Sequence, residues 1–142
     1  PSSDLHGGRQ LDFARSGVEV LEEVMRELRK RGSFPNPAFQ VMVDGGFRRG
    51  TDILKALAMG ATAVGIGRPF LYAYSAYGVD GVIHAINLLR DELEMNMRLI
   101  GARSIEELVP SMVDLSALHN HTGAVFPKQD QSVLDFMEKS RL

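Results

Sequence analysis

Apolar positions along the chain follow two different patterns. Apolar side chains three or four positions apart, with charges between them, predict helices over residues 18–31, 51–59 and 78–100. Short continuous apolar runs at residues 39–43 and 63–66 are bounded by glycine and predict buried strands. The order helix, strand, helix, strand, helix is typical of βα units, so the predicted fold class is α/β with a parallel sheet.

The ends and faces of these elements also carry predictions. Gly60 is expected to close the second helix, and residues 104–107 predict the capped start of a further short helix. Asp91, Glu92 and Glu94 are expected on the solvated face of the long third helix. The second helix is predicted to bury an apolar stripe made of Ile53, Leu54, Leu57 and Ala58. The corresponding stripe of the third helix consists of Val82, Ile83, Ile86, Leu89, Leu93, Met97, Leu99 and Ile100.

Two parallel strands do not make a complete sheet, because parallel strands are normally covered on both faces and paired at both edges. We therefore expect either upstream strands that precede this sequence or a second copy of the chain to complete the fold. The expected partner is therefore either a second copy of the chain, in a homo-oligomer, or the missing upstream half of the fold.

Composition restricts the classes of partner. The chain has 142 residues, 44% of them hydrophobic, and a net charge of −2, which gives no basic field for nucleic acid. It lacks cysteine, which excludes disulfides and thiolate metal sites. No apolar run approaches the roughly 20 residues that span a bilayer, so no membrane partner is expected.

The last three residues indicate a cellular compartment. Ser140, Arg141 and Leu142 differ from the peroxisomal signal Ser-Lys-Leu only by exchange of one cation for another. A peroxisomal location is therefore expected, with an accidental polar helix end as the other interpretation. Cytoplasmic and mitochondrial locations are the alternatives.

Three short segments place charged side chains beside glycine. They are His-Gly-Gly-Arg-Gln at residues 6–10, Asp-Gly-Gly-Phe-Arg-Arg-Gly at residues 44–50, and Gly-Ile-Gly-Arg-Pro at residues 65–69. The last two follow the predicted strands, and the carboxyl ends of parallel strands meet at one edge of a sheet. Glycine allows the backbone to approach a ligand closely at such positions.

The two segments after the strands together predict a phosphate site. Backbone N–H groups at Gly45, Gly46 and Gly67 can face an anion, while Arg48 and Arg68 can bind phosphate oxygens. The alternative is that both segments are tight turns with solvated arginines.

These segments resemble the C-terminal part of the FMN-dependent 2-hydroxy-acid oxidases and dehydrogenases. This family includes glycolate oxidase, lactate oxidase, mandelate dehydrogenase and the lactate-oxidising flavocytochrome. The matching stretches run from His6 to Asp12, from Asp44 to Asp52 and from Gly67 to Tyr72. The resemblance implies a partial (β/α)8 TIM barrel over residues 1–118, followed by a C-terminal tail or arm at residues 119–142.

The resemblance also implies roles for the motif residues. His6 stands at the position of the catalytic base, and Arg9 at the position that binds the substrate carboxylate. The implied reaction is the FMN-dependent oxidation of an (S)-2-hydroxy acid, such as lactate or glycolate, to the 2-oxo acid, with oxygen or a cytochrome as electron acceptor. The implied cofactor-binding residues are Asp44, Gly45, Gly46, Phe47, Arg48, Gly67 and Arg68.

The sequence departs from the family pattern in two respects. Asp4 and Leu5 precede His6, where the family usually has serine and asparagine. The lysine, tyrosines and aspartate that the family brings to the site from earlier strands are not found. A second hypothesis is therefore a truncated, non-catalytic fragment that acts as an FMN-phosphate-binding remnant or an assembly module. A third is one piece of a longer enzyme.

Overall fold

A computed structural model of the chain describes residues 14–118, and the tail predicted at residues 119–142 lies outside them. Three helices and two strands alternate, followed by two short 3-10 turns. In chain order they are α1 (Gly17–Lys30), β1 (Met42–Asp44), α2 (Gly50–Met59), β2 (Ala63–Gly65), α3 (Arg68–Ile100) and the turns Ile105–Glu107 and Pro110–Met112.

Helix α1 begins with a reciprocal cap. The Ser16 hydroxyl accepts a hydrogen bond from the Glu19 N–H at 3.4 Å, and the Glu19 carboxylate accepts one from the Ser16 N–H at 2.8 Å. Leu21 and Met25, one turn apart, are buried on the inner face. The helix predicted at residues 18–31 is confirmed, with each end shifted by one residue.

The two strands pair in parallel, and α2 connects them. Their register places Met42 opposite Ala63 and Asp44 opposite Gly65. The α/β class with parallel strands is confirmed. Strand β1 is shorter than predicted and begins at Met42. Residue 39, the first of the predicted strand, instead closes a turn that starts at Asn36, whose side chain accepts a hydrogen bond from the Ala38 N–H at 3.0 Å.

Helix α2 lies between two hydrophobic clusters. One of its faces contributes Ala56 and Met59 to a cluster with α1 and β1, and another contributes Leu54 and Ala58 to a cluster with the end of α3. The predicted single stripe is therefore wrong in part, because a helix packed on two sides buries two faces. The first cluster consists of Leu21, Met25, Val43, Phe47, Ala56, Met59 and Ala61. The second consists of Leu54, Ala58, Met97, Ala102 and Leu108.

Helix α3 begins ten residues earlier than the sequence predicted, at Arg68 instead of Gly78. Pro69 lies in its first turn, where the missing N–H leaves no hydrogen bond unmade. The helix is interrupted at Tyr77 and at Gly78, whose φ of 59° is left-handed. The periodicity of the sequence therefore marked only the second segment of α3.

The predicted apolar stripe of α3 is buried only near its C-terminal end. Met97 is buried in the second cluster, and Leu93 packs beside it. Several other members of the stripe are exposed, including Ile83, Ile86 and Leu99. Nothing among residues 14–118 covers this face, which explains the difference from the prediction.

After α3 the chain turns without the predicted cap. Ile105–Glu107 is a single 3-10 turn, and Ser104 makes no side-chain cap to its backbone. Instead, the Glu107 carboxylate accepts a hydrogen bond from the Arg103 N–H at 2.9 Å. The predicted start of a short helix is therefore confirmed as a 3-10 turn with Ser104 at its N-cap position, but the predicted side-chain cap is wrong.

None of the helices in the part of the chain from residue 14 to residue 118 is both long enough and apolar enough to span a bilayer.

Replacement of Gly50 by alanine is expected to destabilise the fold. A Cβ built on residue 50 would lie 2.5 Å from the Leu93 nitrogen and 2.8 Å from the Glu92 carbonyl carbon, so α2 would have to move away from α3. We expect the free energy of unfolding, measured by urea denaturation, to fall by about 1–3 kcal/mol. The matched control is Lys55→Ala, an exposed position on the same helix, which should change stability by less than about 0.5 kcal/mol. Equal effects for the two variants would contradict the close contact.

Candidate functional site

The carboxyl ends of β1 and β2 lie side by side. Asp44 and Gly65 are paired in the register, so the segments that follow them leave the sheet at the same edge. A Cβ built on residue 65 would lie 2.8 Å from the Asp44 Cβ. Gly65 therefore makes room for the Asp44 side chain at this edge, as expected where two backbones approach closely.

The segment after β1 turns through two left-handed glycines. Gly45 has a φ of 91° and Gly46 a φ of 84°, values that favour glycine. Phe47 is 2% exposed and belongs to the first cluster. Its side chain anchors the turn, so only its backbone is left to contact a ligand. The Arg48 side chain is exposed next to this anchor.

Two carboxylates accept hydrogen bonds from the backbone N–H groups at the N-terminal turn of α2. One Asp52 oxygen accepts hydrogen bonds from the Arg48 N–H at 3.1 Å and the Arg49 N–H at 3.0 Å. The Gly50 N–H donates to Glu92 at 2.6 Å. These N–H groups would otherwise favour an anion, but they already have anionic acceptors within the protein.

The N-terminal turn of α3 differs from that of α2. Gly67 is its N-cap, and no side chain among residues 14–118 caps the turn by a hydrogen bond. A helix N-terminus of this kind attracts anions through its N–H groups and its dipole. At the carboxyl ends of the two strands, which we call the carboxyl edge, the N-terminal turn of α3 is therefore better suited to bind an anion than that of α2.

The two arginines predicted to bind phosphate, Arg48 and Arg68, also fit an anion site at this edge. Arg48 and Arg68 are exposed, and within residues 14–118 neither side chain forms an ion pair. A Cβ built on Gly46 or Gly67 meets no atom within 4 Å, so there is open space beside both glycines. The glycine N–H groups and the two guanidinium groups can donate hydrogen bonds to a phosphate ester, and the open space leaves room for it.

The structure also identifies a residue that the sequence pattern missed. Glu92 was predicted to lie on a solvated face, and that prediction is wrong. Its carboxylate accepts hydrogen bonds from the Arg49 guanidinium, at 2.8 Å from Nε and also from Nη2, and from the Gly50 N–H. The pairing spans 43 positions in the sequence, so no local pattern indicates it.

The residues expected to carry the chemistry, His6 and Arg9, lie outside the residues that the structure describes. The first described helix nevertheless starts beside the carboxyl edge, because a Cβ built on Gly17 would lie 2.6 Å from the Asp44 carbonyl oxygen. The chain therefore enters α1 at the edge where the glycine and arginine segments emerge. No group of three His, Asp or Glu side chains suited to a metal occurs within residues 14–118.

Comparison with known proteins identifies similar sequences across most of the chain. A sequence profile described as FMN-dependent dehydrogenase matches residues 5–115. A cytochrome-type L-lactate dehydrogenase of Wickerhamomyces anomalus is 59% identical over 115 residues, which cover 81% of this chain and 20% of that protein. A peroxisomal (S)-2-hydroxyacid oxidase of Arabidopsis thaliana is 47% identical over 108 residues, which cover 76% of this chain and 28% of that protein.

Solved structures agree with the sequence comparison. Flavocytochrome b2 with sulfite bound, carrying two substitutions, superposes with a TM-score of 0.76 and 53% sequence identity, over 92% of this chain and 32% of that one. The chain spans between a fifth and a third of the length of the relatives it matches.

Acidification is expected to weaken the contact between α2 and α3 through Glu92. The Arg49 guanidinium, and after it the Gly50 N–H, hold the pKa of the Glu92 carboxyl below its ordinary value. A carboxyl with a lowered folded-state pKa stabilises the fold fully above its unfolded-state pKa, and this stabilisation is lost as the pH falls through the folded-state pKa. The free energy of unfolding should therefore fall less steeply with acid in Glu92→Gln than in the wild type.

Urea denaturation at several pH values between about 3 and about 6 measures this difference. Glu94→Gln, an exposed glutamate on the same helix, is the matched control and should retain most of the wild-type slope. An unchanged slope in Glu92→Gln would show that the contact does not contribute to acid sensitivity.

Proposed function

Because the chain belongs to the FMN-dependent dehydrogenase family, we propose that it forms the cofactor-phosphate side of an active site that oxidises an (S)-2-hydroxy acid of the lactate or glycolate type to the 2-oxo acid. The names of the relatives support this substrate class, since they include a lactate dehydrogenase and an (S)-2-hydroxyacid oxidase. The fold we propose for the whole protein is a (β/α)8 barrel, of which this chain forms the C-terminal βα units.

One observation carries the proposal. Two glycine–arginine segments follow two paired parallel strands, at an edge where the α2 N-terminus is capped by carboxylates and the α3 N-terminus is not capped by a described side chain. This arrangement leaves cations and backbone donors available to an anion. The phosphate of FMN is such an anion.

The described residues suggest how FMN would be held. Arg48 and Arg68 would bind phosphate oxygens, and backbone N–H groups at Gly46 and Gly67 would donate to them. Asp44, beside Gly65, would accept hydrogen bonds from cofactor hydroxyls. Gly45 and the backbone of Phe47 complete this predicted set. Bound FMN would supply the acceptor for the two electrons that the hydroxy acid loses.

The substrate groups of the proposal are His6 and Arg9. The planar guanidinium of Arg9 matches a planar carboxylate and would orient the hydroxy acid. The imidazole of His6 would take a proton from the substrate, because its protonation changes near neutral pH. Their position in the sequence, shortly before the helix that starts at the carboxyl edge, supports both roles.

Other parts of the proposal concern the whole protein. The strands and side chains that this sequence lacks would come from the remainder of the barrel, since the relatives are three to five times as long as the matched region. Oxygen or a cytochrome would accept the electrons. We propose a peroxisomal location, which the name of the peroxisomal relative supports.

Titration of the 142-residue chain with FMN, followed by fluorescence and absorbance, tests the cofactor part of the proposal. Anaerobic addition of lactate or glycolate then tests the reaction. We expect saturable FMN binding, and loss of the oxidised-flavin absorbance if the chain assembles a working site. Binding of riboflavin as strongly as FMN would contradict a phosphate site.

Arg48→Ala and Arg68→Ala are each expected to raise the Kd for FMN by about tenfold, which corresponds to the loss of about 1.4 kcal/mol of binding free energy. The Kd for riboflavin, which lacks the phosphate, should not change. Arg90→Ala, which removes an exposed arginine elsewhere on α3, is the matched control and should leave both values unchanged. If the two site variants weaken riboflavin and FMN equally, the arginines do not bind the phosphate.

His6→Asn is expected to leave the Kd for FMN within about twofold of wild type and to slow flavin reduction by the hydroxy acid by about a hundredfold or more, the usual loss for a general base. Anaerobic stopped-flow reduction of the FMN-loaded chain measures the rate. His84→Asn is the control, because His84 is an exposed histidine on α3. Equal reduction rates in His6→Asn and wild type would exclude His6 as the base.

A further inference from the structure

The Glu92 carboxylate joins α3 to Arg49 and Gly50, the last two residues of the glycine–arginine segment at residues 44–50. Its Oε1 atom accepts hydrogen bonds from Nε and Nη2 of Arg49, and its Oε2 atom accepts one from the Gly50 N–H at 2.6 Å. Both carboxylate oxygens are thus occupied by adjacent residues at the start of α2. A carboxylate with two separate sets of donors fixes both the direction and the distance of the group it binds.

The backbone contact at the same point makes the geometry tight. A Cβ built on residue 50 would lie within 3 Å of three atoms of Glu92 and Leu93. The Glu92 side chain is 25% exposed, whereas the Arg49 side chain is 70% exposed. The carboxylate is therefore the sheltered partner, and the Gly50 N–H has a charged acceptor in a place where water has limited access.

Several contacts hold the segment after β1 in place. The contact with Glu92 is the one that connects this segment to α3. Asp44 is fixed by its pairing with β2, and Phe47 is fixed by the core. Asp52 closes the turn locally by accepting from the N–H groups of Arg48 and Arg49. None of these other contacts involves α3, so they do not determine where this segment sits on α3.

The other part of the predicted phosphate site lies at the start of α3. The two segments of α3 make a close local contact at the interruption, because a Cβ built on Gly81 would lie 2.3 Å from the Ala73 carbonyl oxygen. The position of the second segment, which carries Glu92, therefore constrains the position of the first, which carries Gly67 and Arg68. A contact between Glu92 and Gly50 connects the two parts of the site through α3.

We propose that Glu92 is a positioning residue for the FMN phosphate, which it serves by setting Arg48 and the glycines before it at a fixed distance from Gly67 and Arg68. The inference rests on the proposed function. Glu92 does not itself contact the cofactor in this proposal, since its carboxylate is occupied by Arg49 and Gly50 and would repel a phosphate.

A purely structural role for Glu92 makes a different prediction. Loss of a contact that only stabilises the fold would lower the midpoint of thermal unfolding without changing the preference of the folded protein for FMN over riboflavin. Loss of a positioning contact would weaken the interactions with the phosphate and leave the flavin-ring interactions intact. The ratio of the riboflavin Kd to the FMN Kd therefore separates the two roles.

The test compares this ratio in the wild type, Glu92→Gln and Glu94→Gln, each as the full 142-residue chain. Glutamine keeps the shape of glutamate, but one of its two terminal groups is a donor, so it cannot offer one acceptor oxygen to Arg49 and another to Gly50, as Glu92 does. We expect Glu92→Gln to raise the FMN Kd about five- to tenfold at a temperature where it remains folded, and to leave the riboflavin Kd within about twofold. Glu94→Gln should match the wild type in both.

A second measurement does not depend on ligand. Amide hydrogen exchange at Gly50 in the ligand-free chain should be at least about tenfold faster in Glu92→Gln than in wild type, because its charged acceptor is lost. An unchanged ratio of Kd values in a folded Glu92→Gln variant would overturn the positioning role while the proposed function stands. Failure of the wild type to prefer FMN over riboflavin would overturn both.

Discussion

The close approach of α2 to α3 at Gly50 is the contact on which the arrangement of the candidate site depends. A residue with a side chain at this position would separate the two helices, and with them the cluster formed by Leu54, Ala58 and Met97. Glu92 adds directional hydrogen bonds to what would otherwise be a non-directional packing contact. Sterics thus set how near the helices come, and the carboxylate sets how they are aligned.

The charges around the carboxyl edge are divided between the two helix N-termini. At α2 the N–H groups are bonded to Asp52 and Glu92, so its dipole is compensated by protein carboxylates. At α3 no described side chain takes that role, and Arg68 adds a cation. The N-terminal turn of α2 therefore has carboxylate acceptors from within the protein, whereas no described side chain caps that of α3.

The features that the sequence predicted well are those encoded locally. The start of α1 was predicted to within one residue from its apolar spacing, and the end of α2 from Gly60, which has a φ of 115°. The placement of the glycine–arginine segments at one edge followed from the predicted parallel strands, because parallel strands end on the same side. Each of these signals lies within a few residues of the feature it indicates.

The features that the sequence did not predict depend on distant residues. The periodicity of α3 placed Glu92 among solvated side chains, since nothing near it in sequence reveals Arg49 as its partner. The early start of α3 was missed because Gly67 and Pro69 are as typical of a loop as of a helix N-terminus. The roles of His6 and Arg9 remain predictions, as both residues lie outside the described part of the chain.

The position of α2 between two clusters has a consequence for the cooperativity of unfolding. This ten-residue helix contributes Ala56 and Met59 to one cluster and Leu54 and Ala58 to the other. Unfolding of α2 therefore exposes apolar residues of both clusters at once. Residues from both clusters should therefore lose protection together whenever α2 unfolds, and in that event they behave as one foldon.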